Sequence, residues 1–253
     1  MSRLQTNGIH WNYDNPNDWS KDFPCANGLC QSPININTID TFPEFYPKFE
    51  FSSSYFRDQV FTLTNDDQQI TVELKHQIDE NELWFQGGGL TGRFHLINFH
   101  LHWGRNHRHG SEHELNGYRY PAEAHFVHKN HQTNRIAVLA YFLNISDENQ
   151  QNEWDKFAQL STQFMSKHAR ITCRLNLDRL MRIDSRRFYR YIGSLTTPPC
   201  TEDIIWTIFT DEITIKEESL SLLRQTHTRK NYRPVQPING RTIFRNCHYP
   251  GMI

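Results

Sequence analysis

At 253 residues, with Lys+Arg 27 against Asp+Glu 28 and a formal net charge of −1, the chain can bury a sizeable core without help from disulfides or metal. Its charge balance gives no reason to expect nucleic acid or an anionic membrane surface as a partner. No run approaches the roughly 18 apolar residues of a membrane span. The opening "MSRLQTNGIHWNYDNPNDW" lacks the apolar block of a secretory signal, so a native Met1 would make the chain as written cytosolic.

In chain order, "VFTLTN" (60–65), "QITVELK" (69–75), "LWFQ" (83–86), "FHLINFHLHW" (94–103), "AEAHFVH" (122–128), "IAVLAYFLNI" (136–145) and "IIWTIFT" (204–210) read as strands. Two segments read as helices. In 150–169, Trp154, Phe157, Ala158, Ser161, Phe164 and Met165 fall on one face at 3.6 spacing. The second is 216–227, with Thr214 as its expected cap. Strands outnumber helices and do not alternate with them. No repeat or Gly/Ser/Pro-rich linker divides the chain, which predicts one α+β, mainly β domain over residues 1–253 on a mostly antiparallel sheet. Residues 170 to 190 hold seven arginines, from Arg170 to Arg190, read as a solvated surface or as a contact for a polyanion. Asn144, in "LNIS", is a formal glycosylation sequon.

Nine of the fourteen histidines lie between 95 and 131. In "FHLHWG" (99–104), His100 and His102 are two residues apart on a strand and share a face. Odd positions carry His95, Ile97, Phe99, Leu101 and Trp103, a mainly apolar anchoring set; Asn98, His100 and His102 form the polar side. On the second strand, Glu123, His125 and Val127 share one face, with Ala124, Phe126 and His128 on the other, so a third imidazole from there would complete a three-histidine site. Neutral imidazoles leave the charge of a zinc ion uncompensated and its fourth position open. The spacing alone leaves a second reading, two solvated strand histidines beside an aromatic core. His102 is followed by Trp103 and Gly104, not by the Glu a cupin would need nor by the Asp-His of binuclear hydrolases.

At "FHLHWG…GSEHELNGYRYPAEAHFVH" with "GSLTTPPCTEDIIW", the chain resembles the α-class carbonic anhydrases, and "HWNYDNPNDWSKDFP", "QSPININ", "IAVLAYFL" and "NYRPVQPINGR" extend the likeness from about residue 10 to 245. The resemblance implies a large twisted central sheet with peripheral helices, and zinc at the base of a cone-shaped cleft. It assigns His100, His102 and His125 as zinc ligands, with Asn98, Glu123 and the carbonyl of Asn231 holding those rings. Thr196 and Glu112 match the pair that orients zinc-bound hydroxide, Thr197 lies beside bicarbonate, and Val127, Val138, Leu195, Ile204 and Trp206 match the apolar wall around CO₂. The implied reaction is reversible hydration of CO₂ to bicarbonate and a proton. Inhibition by sulfonamides and small anions is implied with it. A non-catalytic binding or matrix protein on the same fold, and a zinc hydrolase of esters, are the alternatives.

The sequence departs from the family at three places. Aligned on "VE" (72–73), the usual shuttle histidine is replaced by Gln68, which does not titrate near pH 7. His10, or His107 or His109, would have to substitute, and proton release is expected to limit turnover. The link "HQTNR" (131–135) is short, which implies a wider cleft mouth. Cys25 and Cys200 lie near the pair that forms a disulfide in extracellular relatives, which implies a secreted or surface-exposed protein; Cys30, Cys173 and Cys247 stay unassigned.

Overall fold

The computed structural model describes residues 9–66, 68–75, 83–147, 150–163, 166, 168–228 and 230–247. In chain order the strands are β1 (Asn35–Ile36), β2 (Phe42–Glu44), β3 (Phe49–Phe51), β4 (Asp58–Asn65), β5 (Ile70–Leu74), β6 (Trp84–Gly87) and β7 (Leu90–Trp103). They continue with β8 (Glu114–Leu115), β9 (Ala122–Lys129), β10 (Ile136–Ile145), β11 (Arg170–Asn176), β12 (Phe188–Ser194), β13 (Glu202–Ile215) and β14 (Phe244–Asn246). The helices are α1 (Trp19–Asp22), α2 (Glu153–Ser161), α3 (Leu177–Leu180) and α4 (Glu217–Thr226).

Twelve strands form one mixed sheet in the order β11-β4-β5-β7-β9-β10-β13-β12-β14-β2, with β3 and β6 attached through β7. Most neighbours are antiparallel; β10 with β13, and β14 with β2, are parallel. The central strands read as nearly continuous apolar runs because both faces are covered. Ala122, Ala124 and Phe126 of β9 join Ala137, Leu139, Tyr141 and Leu143 of β10 in the larger core, under Trp154, Phe157 and Ala158 of α2. Val138, Ala140, Phe142, Ile204, Trp206 and Ile208 make a smaller cluster on the opposite face.

Strand β7 differs from the expected alternation. Its register against β9 steps from Leu96↔His128 to Asn98↔Val127, leaving Ile97 as the extra residue of a bulge. Phe94 and Leu96 therefore join the same core as Phe99, Leu101 and Trp103, whereas His95 and Ile97 do not. Beyond the bulge the parity is as expected.

The first long helix stops at Ser161; Phe164 and Met165, expected on its apolar face, lie outside the described residues. Its start is fixed by a capping box in which the Asn152 side chain accepts from the N–H groups of Trp154 and Asp155, and Asp155 accepts from the Asn152 N–H. Thr214 does not cap α4. It lies in β13, and its carbonyl accepts from Asn152, while Asp155 Oδ1 accepts from the Lys216 N–H and the Ser219 hydroxyl at the start of α4. The arginine stretch is not one patch. It spreads over edge strand β11, α3 and the following loop, with Arg182 and Arg187 paired to Asp184 and Asp211. Arg190 is buried, with its guanidinium donating to Thr207 and the Gly88 carbonyl.

Candidate metal centre

In the β7–β9 ladder His100 lies directly opposite His125, His102 opposite Glu123 and Asn98 opposite Val127. Directly opposed residues of an antiparallel pair share a face about 4.5–5.5 Å apart, so all six side chains meet on one side. Ring centroids are 5.0 Å apart for His100 and His102, 5.4 Å for His100 and His125, and 4.5 Å for His102 and His125. One nitrogen from each ring lies within 4.8 Å of the others. His128, the other histidine of β9, faces the larger core instead and bonds the Tyr55 hydroxyl and the Phe126 carbonyl.

The partners fix which nitrogen is free. His102 Nδ1 donates to the Asn231 carbonyl at 2.6 Å, and His100 Nδ1 to Asn98 Oδ1 at 3.3 Å, leaving both Nε2 lone pairs open. His125 Nε2 donates to Glu123 Oε1 at 2.7 Å, leaving Nδ1. Burial lowers the pKa of all three rings, that of His102 to about 3, so they are neutral at neutral pH.

Two carboxylates are buried behind the rings. Glu123 Oε1 also accepts from His113 Nδ1 at 2.7 Å, and its Oε2 accepts the N–H groups of Glu112 and His113 at 2.9 and 2.8 Å. Burial opposes its charge, but His113 and His125 outweigh that and hold its carboxyl well below the usual range. A carboxylate only accepts, so His113 carries its proton on Nδ1. Its Nε2 takes the Tyr191 hydroxyl at 2.7 Å, which leaves the Ser32 hydroxyl to donate to Tyr191, also at 2.7 Å. His113 was not singled out by sequence: its neighbour in "SEH", Glu112, drew the assignment, and the contact with Tyr191 spans 78 residues. Glu112 Oε1 accepts the Arg233 N–H at 2.7 Å, and the Thr196 hydroxyl bonds the same carboxyl. Burial pushes the Glu112 carboxyl up, against those two donors.

Glu112 Oε2 lies 3.4 Å from His102 Nε2 and 3.9 Å from His125 Nδ1, and neither Oε2 nor His102 Nε2 has a hydrogen-bond partner. Buried acceptors turned toward one space suit a cation there, which would also favour ionised Glu112. Three neutral imidazoles are a fitting donor set for zinc. The neighbouring group His113, Glu123 and His125 does not fit one, because the ring nitrogens facing the carboxylate already donate to it.

The family model for eukaryotic-type carbonic anhydrases matches residues 14–247. The chain belongs to the carbonic anhydrase family. It is 35% identical to putative carbonic anhydrase 5 of Caenorhabditis elegans, covering 92% of this chain and 80% of the relative. It is 34% identical to putative carbonic anhydrase 3 of the same organism and 32% identical to carbonic anhydrase 7 of Homo sapiens, each covering 92% of this chain and 96% of the relative.

Around the centre of this carbonic anhydrase, Val138, Leu195, Ile204 and Trp206 are buried in one cluster with half-buried Val127 packed on it, and the Trp206 ring lies 4.8 Å from that of His125. Thr196 is buried and Thr197 half-buried on the turn after β12. Along the two strands burial rises from half-buried Asn98 and Val127 to Glu123 and His102, both fully buried. Gln68 is half-buried on the β4–β5 turn, its N–H donating to Asp66. His10 is exposed. His107 and His109 are exposed on the loop after β7 and line a cavity that includes none of the three converging histidines.

The Cys25–Cys200 disulfide is not formed: both are free thiols. Cys25 is exposed on a 3-10 turn, whereas Cys200 is fully buried with Tyr13, Trp19 and Phe23, and burial pushes its thiol up to about 11, away from the reactive thiolate. Asn144 donates its amide to Glu212 at 3.0 Å.

Proposed function

We propose that this carbonic anhydrase hydrates CO₂ reversibly with a zinc ion held by His100 Nε2, His102 Nε2 and His125 Nδ1. The observation that carries the reading is the convergence of three uncharged rings, each with its other nitrogen committed to Asn98, Asn231 or Glu123. In carbonic anhydrase itself, bound zinc supplies the Lewis acidity that brings the pKa of a coordinated water to about 7.

The chain's own residues do the rest. Glu112 can only accept when ionised, so Thr196 spends its proton on that carboxylate and keeps lone pairs for the attacking hydroxyl. That hydroxyl is thereby turned with its own lone pair toward carbon. Val127, Val138, Leu195, Ile204 and Trp206 offer CO₂ an apolar wall, suited to a substrate with no charge to grip. Thr197 lies next to Thr196, where bicarbonate would form. With Gln68 on the turn where fast relatives carry a histidine, proton release sets kcat, and exposed His10 is one candidate to substitute. Sulfonamides and small anions are expected to inhibit at the same centre.

Stopped-flow CO₂ hydration across pH, before and after a chelator and again with zinc restored, tests the reading. Activity should vanish with the metal and return with it. Hydration indifferent to zinc, or absent from fully zinc-loaded protein, overturns it.

A further inference from the structure

The segment joining β7 to β9 carries Glu112 and His113 on its inner side and a second set of groups on its outer side. Backbone and side-chain hydrogen bonds tie Gly110 and Ser111 to the chain that follows. The N–H groups of Gly110 and Ser111 both donate to the Tyr120 carbonyl at 2.9 Å, and the Tyr120 N–H returns to Ser111 Oγ at 2.9 Å. A side chain on Gly110 would collide with the Pro121 carbonyl. Arg119 donates to the Ser111 carbonyl at 2.6 Å, pairs with Glu114 at 2.5 Å and lies over the Tyr232 ring.

On the outer side is a cavity of about 570 Å³, within the usual range for small-molecule sites. Arg108, His107 and His109 stand along it, on a turn pinned by the Arg108 N–H to Asn106 Oδ1. Among the described residues nothing pairs with these three side chains, while the one carboxylate lining the cavity, Glu114, is already answered by Arg119. The remaining rim offers one guanidinium and two imidazoles. Across from it, Tyr118 is 55% exposed, yet its ring is braced edge-on by Tyr120 at 4.8 Å, which in turn stacks on Phe142 at 4.2 Å. Ile145 and Pro121 complete an apolar side.

We propose that this cavity binds a small aromatic anion, its charged group between Arg108 and the two imidazoles and its ring against Tyr118. Guanidinium and imidazole donors suit an oxyanion. The preset aromatic face suits a flat ring. The site shares no side chain with the metal centre, so the two can be occupied together.

Phenyl phosphate is the probe, with inorganic phosphate and phenol as its separated halves, titrated calorimetrically into zinc-loaded enzyme saturated with a sulfonamide so that the metal is blocked. One saturable site is expected, with both halves binding more weakly. Arg108→Ala should weaken phenyl phosphate about tenfold or more, as loss of a charge-assisted bond does. Tyr118→Ala should weaken phenyl phosphate but leave inorganic phosphate unchanged, and neither variant should alter CO₂ hydration. No saturable binding, or binding insensitive to both substitutions, overturns the proposal, as does binding seen only without the sulfonamide. A failure of the metal assignment would show separately, as an enzyme that binds no sulfonamide.

Discussion

Replacing Glu123 with glutamine preserves shape and removes one acceptor from a carboxylate that has none to spare. Oε1 serves His125 and His113 at 2.7 Å each, and Oε2 serves two backbone N–H groups at 2.8 and 2.9 Å. If the amide oxygen stays on the rings, the new NH₂ faces those two N–H groups. A buried donor without a partner costs about 1–3 kcal/mol, so two cost about 2–6 kcal/mol. If the amide turns over, the NH₂ faces the rings, and His125 must carry its proton on Nδ1, the nitrogen turned toward His100 and His102. Losing a supporting partner of this kind typically weakens metal binding about 10–100-fold. Glu123→Gln is therefore expected to lose at least about 2 kcal/mol of stability, or 10–100-fold in zinc affinity, or a share of both. Denaturant unfolding of the metal-free protein reads the first, and competition with a fluorescent chelator the second. A variant unchanged in both measurements refutes the reasoning.

Gln68→His should raise kcat for CO₂ hydration and leave kcat/KM nearly unchanged, because proton release follows bicarbonate departure; a kcat indifferent both to the substitution and to added imidazole buffer speaks against proton release as the slow step. Thr196→Ala should lower kcat/KM about 10–100-fold, the worth of a hydrogen bond to a charged group, with Thr196→Ser restoring most of it; equal rates for Ala and Ser would remove the hydroxyl from the mechanism. In metal-free protein, burial lowers His102 to about 3 from an unfolded value near 6.5. A depressed folded pKa means the unfolded chain takes up the proton first, so His102's contribution is full above about pH 6.5 and is lost as pH falls toward 3. The Tm of metal-free protein should decline from pH 7 to 5, and a flat profile contradicts the buried neutral ring. Alkylation of native protein followed by peptide mapping should label Cys25 and spare Cys200 until unfolding.

The site was legible where one strand carried its own logic. Parity alone placed Asn98, His100 and His102 together, and Glu123, His125 and Val127 together, because side-chain alternation is a local property. Parity could not say whether His125 or His128 faces the first pair; the β7–β9 register, a long-range property, decides that. The bulge at Ile97 had no local signal, since nothing distinguishes an extra isoleucine from its paired neighbours. Strands β11 and β12 were hidden by their arginines: exposed Arg170 and Arg174 alternate with buried Cys173 and Leu175, a pattern read as charge rather than as period two. His113 shows the same limit, because its role depends on Tyr191 and Ser32, distant in the chain and adjacent only once the sheet has formed.

The single supernumerary residue at Ile97 divides one 14-residue strand into two independently phased halves. Phe94 and Leu96 on one side, and Phe99, Leu101 and Trp103 on the other, feed the same hydrophobic layer from opposite numbering parities. Were all 14 residues held in continuous step with Ile97 kept in the ladder, either Phe94 and Leu96 or the downstream imidazoles would have to rotate by half a turn, whereas deleting Ile97 would leave both halves in phase. The irregularity thus acts as a vernier, letting the outer half of the strand be trimmed to fit its sandwich while the histidine-bearing half keeps its aim.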